Sequence, residues 1–247
     1  MLPAFGPGVC VVRRTDTATP LSVNIGYAQE LSLSVKGNTK KLFGQNQFAL
    51  AVARGTVAVT GKIKAAVLSG VAWNATFFGN TFTTGKDNYY FSEAHTPGST
   101  TQAVTNATGG ITDLGVFYAA TLLPLLRVAS APAVGQYSVV ESTGTYTLNA
   151  SDEVALLFNY SNFSSASGQQ LNVVNQQIGV NPTFQLDYWT NYNSPTSKPF
   201  AMRLFNCVAS DFTIATKLED FVMPEISFDV FANAAGNVFN MDFPEIS

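Results

Sequence analysis

The sequence predicts an all-β protein with one helix. Three observations carry this. Apolar and polar residues alternate at period two along most of the chain, β-branched and aromatic residues fill the alternating runs, and clusters of Gly, Asn, Ser and Pro punctuate them.

The first run is Leu31, Leu33 and Val35 against Ser32, Ser34 and Lys36. In the second, Val57, Val59, Gly61 and Ile63 oppose Thr56, Ala58, Thr60, Lys62 and Lys64. Gly37-Asn38 marks a turn between them. Over Lys64 to Gly79 the period changes. Val67, Val71, Asn74 or Ala75, and Phe78 fall three and four apart on one helical face, and Gly79 ends the segment. Thr81 to Gly110 is rich in Thr, Gly and Asn, is weakly patterned, and reads as a long loop or an insertion. Further runs begin at Leu171, Val173 and Asn175 and cover Phe184 to Trp189 and Ile226 to Phe231. Turns fall at Gly109-Gly110, Gly144 and Asn193-Ser194-Pro195. Pro224 to Phe243 reads as a hairpin, with two alternating arms around Ala234-Ala235-Gly236-Asn237.

Composition bounds the function. The chain has 247 residues and 26.4 kDa, enough to bury a core, and is read as one domain. It is 46% hydrophobic with mean hydropathy +0.14, which excludes intrinsic disorder. Charged residues are only 12%, and the net charge of −3 excludes a basic nucleic-acid-binding domain. So apolar and weakly charged a chain suits a surface that other subunits cover. Cys10 and Cys207 are too few for a disulfide framework and read as thiols in a reducing compartment. MLPAFGPGVCVVRR lacks a basic start before an apolar run, so no signal peptide is expected. The apolar stretch Leu114 to Leu126 is interrupted by Pro124 and is too short to span a bilayer. Asn-x-Ser/Thr triplets at Asn74, Asn106, Asn149, Asn159 and Asn162 are read as chance in a chain rich in these residues.

Charge is unevenly placed. Lys36, Lys40, Lys41, Arg54, Lys62 and Lys64 lie between Ala28 and Ala66, with Glu30 the one acid among them. From Val128 to Ser197 there are acids and no base, and from Ser210 onward seven acids stand against Lys217. A basic face and acidic faces on one subunit favour head-to-tail association.

Motifs for catalysis are missing. There is no P-loop, no GxGxxG after a strand and no GxSxG. The single histidine, His95, rules out a His-based metal cluster and reads as a surface residue. Asp152 and Glu153 are adjacent, so on a strand they would point to opposite faces. Convergence of two distant carboxylates, as in glycosidases, is the enzymatic option left open.

Two stretches resemble a known family. ELSLSVKGNTKKLFGQNQFALAVARGTVAVTGKIKAA, around Lys40 to Gln45, Val52-Ala53-Arg54-Gly55 and Val59-Thr60-Gly61-Lys62, resembles the early hairpin of siphophage major tail tube proteins. TKLEDFVMPEISFDVFANAAGNVFNMDF, Thr216 to Phe243, is similar to that family's acidic-aromatic step, Pro-Glu, alternating strand and Ala-Asn-Ala-x-Gly-Asn-Val turn. The resemblance implies a β-sandwich or barrel with one flanking helix. Copies would form a hexameric ring whose inner strands join in a continuous β-barrel around a lumen. Rings would stack through a protruding loop over 36–55, with Lys36, Lys40, Lys41, Leu42, Phe43, Gln45, Gln47, Phe48 and Arg54 at the inter-ring contact. Asp229, Asn233 and Asn237 would make contacts from the terminal hairpin.

The implied function is structural, with neither catalysis nor a cofactor. The tube belongs to the virion tail and is assembled in the host cytoplasm, away from any membrane. Its partners are further copies of itself, the tape-measure protein, the tail terminator and distal tail proteins. Double-stranded DNA passes through without specific binding, which an acidic lumen favours because each phosphate neutralised by Lys or Arg would add affinity. A ring would also pair edge strands that a monomer leaves open. The alternative, from another class, is a β-sandwich carbohydrate-binding module on a virion or cell surface, with Tyr188, Trp189 and Tyr192 as a stacking platform.

Overall fold

The computed structural model describes residues 8–67, 69–191, 199–216, 218–219 and 221–243. Strands β1 (Gly8–Arg14), β2 (Ser22–Phe43) and β3 (Ala49–Ala65) lead into helix α1 (Gly70–Trp73), which continues as a π-helical turn, Asn74–Phe78. Then come β4 (Phe82–His95), β5 (Thr101–Ala103), β6 (Thr112–Tyr118), β7 (Leu126–Arg127), β8 (Gln136–Val140), β9 (Thr145–Leu148) and β10 (Leu156–Leu171). The last strands are β11 (Phe184–Asn191), β12 (Pro199–Thr213), β13 (Glu225–Phe231) and β14 (Phe239–Asp242). The protein is all-β with one helix, as the sequence predicts. Where the sequence reads as one domain, the chain divides into two compact units, Met1–Asn80 with Val173–Ser247, and Thr81–Asn172.

The first unit is a barrel. Strands run in the order β11-β1-β2-β3-β13-β12, and β12 pairs back onto β11, closing a six-stranded antiparallel circuit. The inward row of each strand supplies the core: Val12, Ile25, Ile63, Phe184, Leu186, Leu204, Ile226 and Phe228 are all essentially buried. Gly61 is required here. A Cβ at that position would lie 2.3 Å from the Phe228 ring, so the ring fills the space the glycine leaves. Cys10 and Cys207 are free, buried thiols of this core, and burial pushes both thiol pKa values up. The barrel circuit itself closes within a single copy, and the open margins expected from the sequence remain where β2 and β3 run on beyond it.

The helix is shorter than its periodicity suggests, because β3 continues through Ala65, whose N–H donates to the Pro224 carbonyl. Ser69 starts it instead, its Oγ accepting from the Ala72 N–H at 3.4 Å. The buried face is Ala72, Trp73, Asn74, Ala75 and Thr76, while Val67 and Val71 are exposed. Trp73 packs on Phe212 with ring centroids 4.6 Å apart. Gly79 ends the segment in the left-handed region, at φ +67°.

Pro224 to Phe243 does not form a hairpin. β13 and β14 do not pair with each other; both pair antiparallel with β12, one after the other along the same edge. The chain leaves β12 after Phe231 and rejoins it at Val238, whose carbonyl accepts from the Phe205 N–H at 3.1 Å. The excursion is pinched at its base by the Asn233 N–H donating to the Asn237 carbonyl at 2.9 Å. Alternation on both sides of a Gly-Asn turn looks the same whether the arms pair or simply continue one line. The run expected at Leu171 to Asn175 is likewise absent, because β10 ends at Leu171. Gly37-Asn38 lies within β2 at a β-bulge rather than in a turn, and Asn193-Ser194-Pro195 lies outside the described residues.

The second unit has its own core. Sheet β4-β10-β6 and sheet β5-β9-β8-β7 enclose Val116, Tyr137, Tyr146, Leu148, Leu156, Phe158 and Tyr160. Thr81–Gly110 is therefore no loop, since it carries β4 and β5. Register shifts in the β10–β4 ladder break the alternation and hide the strand in the sequence. Tyrosine hydroxyls donate to three carboxylates here. Tyr137 and Tyr146 donate to Asp113 at 2.7 and 2.9 Å, Tyr118 to Asp152 at 2.6 Å, and Tyr160 to Glu93. These bonds satisfy acids that would otherwise be costly to bury. His95 is partly buried rather than a surface residue. Its Nε2 meets Glu93 Oε1 at 2.6 Å, and its Nδ1 accepts from Gln102 at 3.2 Å.

Candidate assembly surface

The longest two-stranded ladder of the barrel unit outruns the barrel. β2 and β3 pair from Ala28–Ala65 out to Phe43–Ala49. The neighbouring strands stop early: β1 covers β2 only as far as Ala28, and β13 covers β3 only from Lys64 back to Val59. Beyond Val35 and Val59 the ribbon is two strands wide, with both outer edges unpaired among the described residues. The segment expected as a protruding loop over 36–55 is thus a hairpin, with only Gly44 to Phe48 between its strands. A lone two-stranded ribbon is marginally stable in water.

Register assigns its faces. Leu31–Ile63, Leu33–Gly61, Val35–Val59, Gly37–Val57, Thr39–Arg54 and Lys41–Val52 are cross-strand pairs on the face that begins as the barrel interior. Lys36–Ala58, Lys40–Ala53 and Leu42–Ala51 share the opposite face. Apolar side chains continue on both faces past the point where the barrel can bury them, interrupted on the first face by Thr39, Lys41 and Arg54. Val35, Leu42, Phe43, Phe48, Leu50, Val52 and Val57 are all exposed, Phe43 at 57% and Phe48 at 83%. Gln45 and Gln47 sit exposed at the tip. The expected contact residues therefore fall on one projecting element. Val35, Leu50, Val52 and Val57 are exposed on the same element and stand outside the expected set, because an apolar residue in a strand looks the same whether its own chain or another covers it.

The basic cluster divides in two. Lys62 and Lys64 belong to the barrel wall and are matched there: Lys62 meets Glu225 at 2.5 Å, and Lys64 meets Glu30 at 2.7 Å and Glu225 at 3.7 Å. The hydrogen bond from Lys64 holds the Glu30 carboxyl below its ordinary range. Lys36, Lys40, Lys41 and Arg54 have no acid within ion-pair distance among the described residues. No acid falls between Leu31 and Gly61 in the sequence, so the ribbon carries four uncompensated cations. A concavity of about 350 Å³ opens at its bulge, lined by Lys36, Gly37, Asn38, Thr56, Val57 and Ala58.

The second set of expected contacts is placed differently. Asp229 is exposed on the outer barrel wall, opposite Thr60 of β3. Asn233 shapes its own turn, its Oδ1 accepting from the N–H groups of Ala235 at 3.0 Å and Asn237 at 2.9 Å. Of the aromatic platform, Tyr188 and Trp189 are successive residues of β11 and face opposite sides. The Tyr188 ring lies inward over Gly8, Trp189 faces out, and Tyr192 lies outside the described residues. Among the described residues no group of three or more His, Cys, Asp or Glu is placed to hold a metal ion, and no helix is long and apolar enough to cross a membrane. No protein-family model matches the chain, and no curated protein matches it.

Proposed function

We propose that the protein is a structural subunit of a bacteriophage tail tube, without catalysis. Copies assemble into hexameric rings, and the rings stack into a conduit through which double-stranded DNA passes without specific binding. The observation that carries the reading is the projecting β2–β3 ribbon, with seven exposed apolar side chains and four unmatched cations. An apolar ribbon with open edges is an aggregation hazard unless a defined partner covers it. A second copy supplies suitable chemistry, since an exposed acid such as Asp229 complements the cations. The resemblance over Glu30 to Ala66 and Thr216 to Phe243 supplies the specific identity, and with it the tape-measure, terminator and distal tail partners, the virion tail as location and host-cytoplasm assembly.

The inserted unit has six acids and two bases, a composition that resists phosphate. Negative-stain microscopy of the purified protein tests the proposal. Six-fold rings or stacked tubes are expected, and a uniform population of monomers at high concentration overturns it.

A further inference from the structure

A well-formed concavity lies away from the ribbon, on the outer wall of the barrel. It encloses about 530 Å³ above β1, β11, β12 and β14, within the range of small-ligand sites, roughly 300–1,000 Å³. Register explains its lining. Val11, Asp187, Arg203 and Asn240 form one cross-strand row, and Trp189, Ala201 and Asp242 the next. Asp187 is held in place: Oδ1 accepts from Arg203 Nε at 2.6 Å and Oδ2 from Gln185 Nε2 at 2.7 Å. Gln185 is itself fixed by Arg13 at 3.1 Å. Arg203 remains half exposed, and Asn240 and Asp242 are exposed. Trp189 is the one large aromatic on this outward row, 38% exposed.

The lining selects a ligand class. Two carboxylates against one guanidinium repel phosphate, sulfate and acidic sugars. A purely apolar ligand would strip water from Asp187, Arg203, Asn240 and Asp242 without replacing their hydrogen bonds. A neutral polyhydroxylated ring meets both demands. Its C–H face can lie on the Trp189 indole, and its adjacent hydroxyls can donate to Asp187 and Asp242 and accept from Arg203 and Asn240. We propose that this cleft is a binding site for a neutral saccharide of one to three pyranose units, centred on Trp189. The site is independent of the ribbon, so it stands or falls apart from the tube reading.

The test uses the full chain carrying Trp73→Phe, so that Trp189 alone reports. Trp73 is buried, and its replacement keeps an aromatic ring against Phe212. Intrinsic fluorescence is titrated with glucose, galactose and N-acetylglucosamine and their di- and trisaccharides, with sialyllactose as the acidic control. A saturable blue shift at roughly millimolar concentration is expected with at least one neutral probe and none with sialyllactose. On the natural chain, isothermal titration with the same probe should lose about tenfold or more in affinity on Trp189→Ala, the order of one aromatic contact, with the thermal melt unchanged. Asp242→Asn, which keeps an acceptor, should retain binding, and Asp242→Ala should weaken it. No saturable response to any neutral probe, equal affinity in Trp189→Ala, or preference for sialyllactose would overturn the assignment.

Discussion

Replacing Phe43 and Phe48 together by Ala separates assembly from folding. Both rings are already open to solvent in the single copy, 57% and 83% exposed, so their loss should leave the fold within about ±0.5 kcal/mol. Their combined open surface is roughly 1.4 phenylalanines' worth. Burying one phenylalanine fully is worth about 1.5–3 kcal/mol, so covering both contributes about 2–4 kcal/mol per ribbon. At about 1.4 kcal/mol per tenfold, association should weaken about 30- to 700-fold for each docked ribbon. A single exposed ion pair, worth about 0–1 kcal/mol, should change association by about fivefold at most. The assay is sedimentation velocity over a concentration series, with circular dichroism melts of the same samples. An unchanged melt with the assembled boundary moved to far higher concentration is expected. Assembly at the natural concentration, or a lowered melting temperature, would refute the reasoning.

Reversing the charges of Lys40, Lys41 and Arg54 to Glu should leave the subunit folded and block stacking; tubes of normal length by negative stain would exclude ionic docking of the ribbon. Excising the inserted unit should leave a folded barrel, because Phe82 and Leu171 are paired side by side and a short linker can replace what lies between; loss of the cooperative melt would show that the barrel depends on the insert. Acid should open the inserted unit through Glu93. Its partial burial pushes the carboxyl up, but hydrogen bonds from Tyr160, His95 and Thr105 outweigh this and hold it at about 2. Its folded value lies below the unfolded one of about 4.3, so its stabilisation is complete above the unfolded value and is lost as pH falls through about 2. Glu93→Gln should flatten the stability–pH curve over that window, measured by denaturant melts; an unchanged slope would remove Glu93 from the acid response.

Period-two alternation was legible in β11 and β13, where one strand face meets the barrel core, but not in β1 or β12, which line the same core. It failed where the ladder slips. Bulges in β10 against β4 shift the alternation, and the weak pattern there conceals a whole unit with its own core. Pairing partners were not legible either. The arms on either side of Asn233 to Asn237 look like a hairpin, and only the paired edge of β12 reveals that they lie in one line. For the proposed assembly surface, the resemblance picks out Lys40, Phe43, Phe48 and Arg54 and leaves out Lys62 and Lys64, but the charge pattern alone does not show that those two are matched. Their acids, Glu30 and Glu225, come from strands far apart in the chain. The Trp189 cleft needs four strands in register, which no local motif encodes.

The central claim is that the ribbon from Lys36 to Val57 is completed by an identical copy. Amide hydrogen exchange across a concentration series reads this directly, because among the described residues the outer edges of β2 and β3 have no backbone partner in one copy. The expected result is fast exchange in that ribbon at high dilution and strong protection at concentrations where larger species sediment, with the barrel strands protected throughout. Equal, fast exchange of the ribbon at every concentration, in a chain that sediments as a monomer, would contradict the account.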